Sequence, residues 1–311
     1  MRITFPRLVI AVGLAGLCST SPAAQEVPSQ TQETFRSALD VVTIQASVRD
    51  RRGRVVSGLT TTDFEVRDNG EVRPILSIRS DRQSPISLAI VVDMSGSMGS
   101  DRKIAMARQA YTSLLSQLRQ GEDEVALFTF DAVLHERQDF TRDLTTLTGA
   151  LSEFEPFGTT SLYDATAATA RRLAARSGTH KAIIVLTDGI DTSSTMTARD
   201  VSGLASSIDV PVFVVATVPS LDQRLMMEAA ERQAPSDGAD LRDLAEWTGG
   251  RFVFASTLVE TVVAPSSLID ELRQQYVLAI EAANGREWRR LDVRVRRPST
   301  TVKARSGYFA G

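Results

Sequence analysis

The sequence predicts an α/β fold: a doubly wound, mostly parallel sheet inserted into a small β-sandwich-like domain built from both ends of the chain. Three observations carry this. Short, continuously apolar runs recur through the middle of the chain, helical periodicities separate them, and alternating β patterns with hairpin-type turns flank the whole. Strands that are apolar on both faces need cover on both sides, which helices above and below a parallel sheet provide.

At the N-terminal end, Arg2 and Arg7 accompany the apolar or small run Leu8 to Leu17, and Ser21-Pro22-Ala23-Ala24 offers small residues for cleavage. This is the plan of an export signal, expected over residues 1–24. The run is shorter than the roughly 20 apolar residues of a membrane span. No transmembrane segment is therefore expected after signal cleavage, and the protein is expected to be exported, to the periplasm or out of the cell. Cys18, the single cysteine, lies inside this segment, and the bulky Leu17 before it argues against a lipid anchor. Residues 25–39 are polar and aperiodic and read as a flexible lead-in.

A β-segment follows over 40–83. Val42, Ile44, Ala46 and Val48 alternate with Thr43, Gln45 and Ser47, and Asp68-Asn69-Gly70 supplies a turn between Phe64–Val66 and Val72–Ile78. The α/β region is expected over 84–275, its strands being the runs Leu88–Val92, Val125–Phe130, Ile183–Leu186, Val212–Ala216 and Phe252–Phe254. Ile104, Ala107, Tyr111, Leu114 and Leu118 recur at helical spacing after the first run, as do Leu144, Leu147, Leu151 and Phe154 after the second. Further helices are expected over 161–176, from Leu241, and over 267–275. Between the fourth and fifth runs, an insertion at 220–239 carrying Met226 and Met227 is expected to project from a strand's carboxyl end. The C-terminal β-segment, 276–311, pairs Tyr276–Ile280 with Trp288–Val295 around Asn284-Gly285, adds a strand around Val302–Tyr308, and is expected to pack with 40–83.

The chain has 35 Lys+Arg against 38 Asp+Glu, a net charge of −3, and loss of the two signal arginines would take it to −5. This mild acidity argues against nucleic acid as a partner.

Ligands of a doubly wound sheet collect outside the carboxyl ends of its strands. Asp93, Ser95 and Ser97 follow the first run, Thr187-Asp188-Gly189 close the third, and Gly158-Thr159-Thr160-Ser161-Leu162 lead into a helix. A glycine-rich turn would account for any one segment. Together they offer two carboxylates, several hydroxyls, and neither sulfur nor imidazole, a donor set for a hard divalent cation. Asp191 reads as a solvated loop acid and Asp101 as an acid favouring the following helix N-terminus. His135 and His180 have no ligand spacing and no nucleophile partner. There is no G-x-S-x-G and no P-loop, so enzymatic activity is not expected.

Asp93-Met94-Ser95-Gly96-Ser97, Gly158-Thr159-Thr160-Ser161-Leu162 and Thr187-Asp188-Gly189 resemble, in order and spacing, the three segments of the metal-ion-dependent adhesion site of von Willebrand factor type A domains. The resemblance spans residues 84–275. It implies that Ser95, Ser97 and Thr160 offer hydroxyls to Mg²⁺ (or Mn²⁺) while Asp93 and Asp188 hold it partly through water, with Thr159 the alternative to Thr160. The stretch from Val42 through Asp63-Phe64-Glu65-Val66 and the ending Arg305-Ser306-Gly307-Tyr308-Phe309 resemble a secreted bacterial group, the VWFA-related acidobacterial type. The implied role is protein recognition or adhesion, the partner protein offering an Asp or Glu carboxylate to the metal. A second reading stays open: an envelope assembly or scaffold protein with a structural metal and metal-independent contacts through its β-domain.

Overall fold

The computed structural model describes residues 41–80, 82–151, 155–178, 180–221, 223–224 and 240–310. The expected export signal with Cys18, the lead-in, and Met226 and Met227 of the insertion lie outside the described residues. Among the described residues, no helix is long and apolar enough to cross a membrane.

The chain opens with β1 (Val41–Asp50), β2 (Phe64–Asp68), β3 (Glu71–Arg73) and β4 (Ile75–Arg79). The α/β region then runs β5 (Ile86–Asp93), α1 (Asp101–Ser116), β6 (Glu124–Phe130), β7 (Leu134–Thr141), α2 (Leu162–Ala174), β8 (His180–Thr187), α3 (Ala198–Ser207), β9 (Val212–Ala216), α4 (Leu241–Trp247), β10 (Phe252–Phe254) and α5 (Glu260–Arg273). The C-terminal strands are β11 (Tyr276–Glu281), β12 (Trp288–Val295), β13 (Thr300–Ala304) and β14 (Gly307–Phe309).

The central sheet has six strands in the order β10-β9-β8-β5-β6-β7, parallel except for β7. β5 lies in its middle and is buried at every residue. Ile86, Leu88, Ile90 and Val92 face one helical layer, against Ile104, Tyr111 and Leu114 of α1 and Leu268 and Leu272 of α5. Ala89 and Val91 face the other, against Leu162, Ala170 and Leu173 of α2 and Val201 of α3. Each such aliphatic side chain contributes roughly 1.5–3 kcal/mol on burial, so both faces hold the sheet flat between helices.

Two sequence expectations are corrected here. The helical spacing Leu144-Leu147-Leu151 produces only a 3-10 turn, Leu144–Leu147, started by Thr145 N donating to the Asp143 side chain (3.1 Å). The β-branched Thr145, Thr146 and Thr148 and the left-handed Gly149 (φ 76°) explain why no α-helix continues, although all three leucines are buried in the core. Phe154 lies outside the described residues. The expected strand around Val302–Tyr308 is two strands, β13 and β14, which belong to different sheets.

Those two sheets are antiparallel four-strand layers, β13-β1-β11-β4 and β14-β12-β2-β3. Each joins the two ends of the chain: Ile44 pairs with Leu278, and Val66 with Val293. Between them, Ile44, Val48, Phe64, Val66, Leu278 and Tyr308 form a separate core. Phe64 meets Tyr276 edge-on at 5.3 Å, and the Tyr276 hydroxyl donates to Val56 O (2.9 Å) while accepting from Leu59 N (3.1 Å). The α/β fold is thus inserted into a β-sandwich made from both termini.

The junction between them is charged. Glu271 of α5 is fully buried, accepts from Ser47 Oγ (2.8 Å) and Arg49 Nη2 (2.7 Å) of β1, and lies 3.3 Å from Arg251 Nε. Arg305, between β13 and β14, donates to Ser206 O of α3 and Thr43 O of β1.

Candidate metal centre

Asp93 is the last residue of the central strand, where its backbone partner is Phe130 of β6. Its side chain is fully buried. Oδ1 accepts from Ser95 N (2.9 Å) and Oδ2 from Thr187 Oγ1 (2.6 Å), which fixes the carboxylate against the end of β8. Burial pushes the Asp93 carboxyl up to about 6; the hydrogen bonds from Ser95 and Thr187 oppose this, and the charge of Asp188 adds to it.

Beyond Asp93 the chain is extended at Ser95 (φ −71°, ψ 165°) and then turns through a 3-10 segment, Gly96–Met98. Met94 and Met98 are buried in the core and anchor this loop from below, while Ser97 is exposed. The Ser95 and Ser97 hydroxyls lie 3.0 Å apart, so the pair spans from the interior to solvent. Gly96 is required here: its N–H donates to Gly158 O at 2.9 Å, and a Cβ would stand 3.1 Å from that same oxygen. Phe157 N donates to Met94 O at 2.8 Å, so the first and second segments are pinned together by backbone.

Thr160 is buried, its N–H donates to Thr192 Oγ1 (2.9 Å), and its carbonyl accepts from Thr192 N (2.9 Å) and Ser193 N (3.0 Å). Thr159 is exposed and its hydroxyl accepts from Ser193 Oγ (3.0 Å). Asp188 is fully buried. Its Oδ2 accepts from Lys103 Nζ of α1 at 3.0 Å, while its Oδ1 has no hydrogen-bond partner. The same ammonium donates to Ser97 O at 3.2 Å and so ties the first and third segments. All five residues singled out in the sequence, Asp93, Ser95, Ser97, Thr160 and Asp188, therefore lie on segments linked to one another at the carboxyl rim of the central sheet.

Several contributors were not visible in the sequence. One is Lys103 of α1, which no motif in the sequence singles out. Asp191 is not a solvated loop acid: its Oδ1 accepts from Leu162 N (2.8 Å) and Ser194 Oγ (2.6 Å), so it caps α2 from outside the helix. Asp101 does sit in the first turn of α1. His135 Nε2 lies 3.4 Å from Asp131, and His180 is buried with Nδ1 3.2 Å from Leu272 O. Phe157 (82% exposed) and Ile190 (46% exposed) present apolar surface from the loops that carry the site.

The donor chemistry fits a hard divalent cation. The side chains offered are carboxylates and hydroxyls, the oxygen donors such a cation takes; among the described residues no three His, Cys, Asp or Glu side chains converge, so hydroxyls would have to complete any such site. A buried, unpartnered carboxylate oxygen leaves a polar group unsatisfied, and an ammonium on its sister oxygen marks the same demand for positive charge.

A family model of the von Willebrand factor type A domain matches residues 88–191. Among solved structures, the chain is similar to an aerotolerance-related membrane protein from Bacteroides fragilis NCTC 9343, with 18% identity over 60% of this chain and 98% of that one, TM-score 0.47. It is similar to the PilB minor pilin from Streptococcus sanguinis, with 15% identity over 62% of each chain, TM-score 0.46. It is also similar to the vWF domain of a type V pili tip protein from Porphyromonas gingivalis, with 25% identity over 35% of this chain and 39% of that one, TM-score 0.31. No curated protein matches the chain.

Proposed function

We propose that this chain, with a von Willebrand factor type A fold inserted into a β-sandwich, is an exported recognition protein that binds a protein ligand through Mg²⁺ or Mn²⁺. The observation that carries the reading is the buried Asp188 Oδ1 without a partner, on a residue that Lys103 ties to the loop carrying the Ser95–Ser97 hydroxyl pair. Ser95, Ser97 and Thr160 would offer hydroxyls, and Asp93 and Asp188 would hold the cation partly through water. Thr160 is preferred to Thr159 because it is buried on the segment pinned to the Ser95 loop, whereas Thr159 is exposed.

Bound there, the cation would supply an open coordination position and an incompletely neutralised charge, which suits a carboxylate from the partner. The chain's own part is positional. Thr187 and the Ser95 amide orient Asp93, the Gly158–Gly96 bond brings the Thr160 loop to the Ser95 loop, and Phe157 and Ile190 provide apolar contact around the charge. The role is recognition rather than catalysis.

The test is calorimetric titration of the full chain with Mg²⁺ and Mn²⁺, followed by affinity capture from envelope extract with metal or with chelator. One saturable site that Asp93→Ala abolishes, with a protein captured only by the metal-loaded wild type, is the expected result. Absence of metal binding by the wild type would refute the reading. A partner captured equally with chelator would move recognition to the β-sandwich and support a scaffold.

A further inference from the structure

Far along β1 from its first residue, the chain runs Asp50-Arg51-Arg52-Gly53-Arg54, and the loop between β12 and β13 runs Arg296-Arg297-Pro298-Ser299. Pairing of Asp50 with Thr300 sets these loops side by side. We propose that they form a second binding site, for ligands carrying clustered phosphate groups, which is independent of the metal rim.

The first loop is held rigidly. Gly53 adopts φ +74°, and Asp50 Oδ1 accepts from both Arg52 N (2.8 Å) and Arg54 N (3.0 Å). Arg54 Nε donates to Asp50 Oδ2 (2.9 Å), and Arg49 Nη1 donates to Gly53 O (2.5 Å). On the facing loop, Ser299 takes the left-handed conformation of a tight turn (φ +65°). Thr300 Oγ1 donates to Arg297 O (2.8 Å) and closes that turn.

An open groove of about 450 Å³ lies between the loops, lined by Arg51, Arg52, Arg54 and Arg297 together with the hydroxyl residues Ser299 and Thr300. Asp50 is the only acid in its wall and is already engaged by Arg54, so the wall carries +3 on a chain of net −3. Arg51 and Arg52 form no ion pair among the described residues, and the carboxylate that feels the charge of Arg297 is Asp63, outside the groove wall. Like charges gathered on neighbouring loops favour an anion between them. With Arg54 held by Asp50, the guanidinium groups left to meet a ligand are those of Arg51, Arg52 and Arg297, whose planar fork matches phosphate oxygens two at a time. No aromatic side chain lines the cavity to stack a base, which disfavours nucleic acid. Its volume suits a headgroup or small polyphosphate.

The experiment uses the full chain in chelator throughout, so that the metal rim contributes nothing. Inorganic pyrophosphate is titrated calorimetrically. Saturable binding is expected, weakened roughly tenfold or more by Arg52→Ala and by Arg297→Ala, since each removes a charge-assisted hydrogen-bond donor. Arg52→Lys should restore only part of the affinity. Arg294→Ala, an exposed arginine paired with Asp292 outside the cavity, should leave it unchanged. No saturable binding by the wild type, or an equal loss in Arg294→Ala, would overturn the proposal, as would hexaglutamate displacing pyrophosphate at lower concentration. Flotation with phosphatidylcholine vesicles, with and without phosphatidate, separates the sources. Phosphatidate-dependent binding competed by pyrophosphate supports the site with a lipid headgroup as ligand; pyrophosphate binding without vesicle binding supports it with a soluble phosphate.

Discussion

Lys103 sits where a cation is most needed, with its ammonium against a buried carboxylate and the Ser97 carbonyl. It is a tethered counter-charge for Asp188, and under the proposed function it would share that carboxylate with the cation. Replacing it with glutamine would leave Asp188 buried without a cationic neighbour, at a cost of about 1–3 kcal/mol to the metal-free fold. The expected outcome is a lower melting temperature of Lys103→Gln in chelator and a larger rise on adding Mg²⁺ than in the wild type, read by thermal unfolding. An equal Mg²⁺-induced rise in both proteins would show that Lys103 and the cation do not share the site. At this scale the sequence is legible where the chemistry is local: Asp93, Ser95 and Ser97 lie within five residues and announce themselves. Lys103 and Asp191 do not, because each acts on a group that the fold delivers from a distant part of the chain, Lys103 on Asp188 and Asp191 on the Leu162 amide.

Among the elements, α5 is tied by a buried acid to the start of β6, in addition to its apolar packing on the sheet. Asp123, fully buried just before β6, accepts from Ile86 N (3.0 Å), Arg119 N (2.7 Å) and Arg273 Nη2 (2.5 Å). Burial pushes its carboxyl up, but the hydrogen bonds from Arg273 and the two amides outweigh this and hold it below the usual carboxylate range. The unfolded chain therefore binds the proton more readily. Stability from Asp123 is complete above about pH 4 and is lost as the pH falls through the depressed folded value. Asp123→Asn should be less stable at pH 7 by about 1–3 kcal/mol and should show a shallower loss of stability below pH 4, measured by urea unfolding across a pH series. An unchanged acid limb would mean that other carboxylates govern it. The strands that α5 covers were readable because they are apolar on both faces. β7 was not, since Leu134–Thr141 is an edge strand of mixed burial whose polar residues carry no continuous run.

For the molecule as a whole, the alternating patterns near both ends make a two-ended β-sandwich legible, whereas the bonds that couple it to the α/β core join residues from about 100 to more than 220 positions apart. Glu271 is the centre of that coupling, with Ser47 and Arg49 on the sandwich side and Arg251 on the α/β side. Removing the carboxylate in Glu271→Ala leaves two partly buried guanidinium groups facing each other without an anion, and breaking a buried pair in this way costs about 3–5 kcal/mol. The two tryptophans can report on each part, since Trp247 lies in α4 and Trp288 in β12. In the wild type, single-tryptophan variants retaining one or the other should unfold with coincident transitions, as a cooperative unit does. In Glu271→Ala both midpoints should fall and the two curves should separate, because the strands still hold each layer together while the charged contact between them is gone. Curves that stay coincident with a shift below about 1 kcal/mol would mean that Arg305, which bonds to α3 and β1 at once, carries the coupling instead.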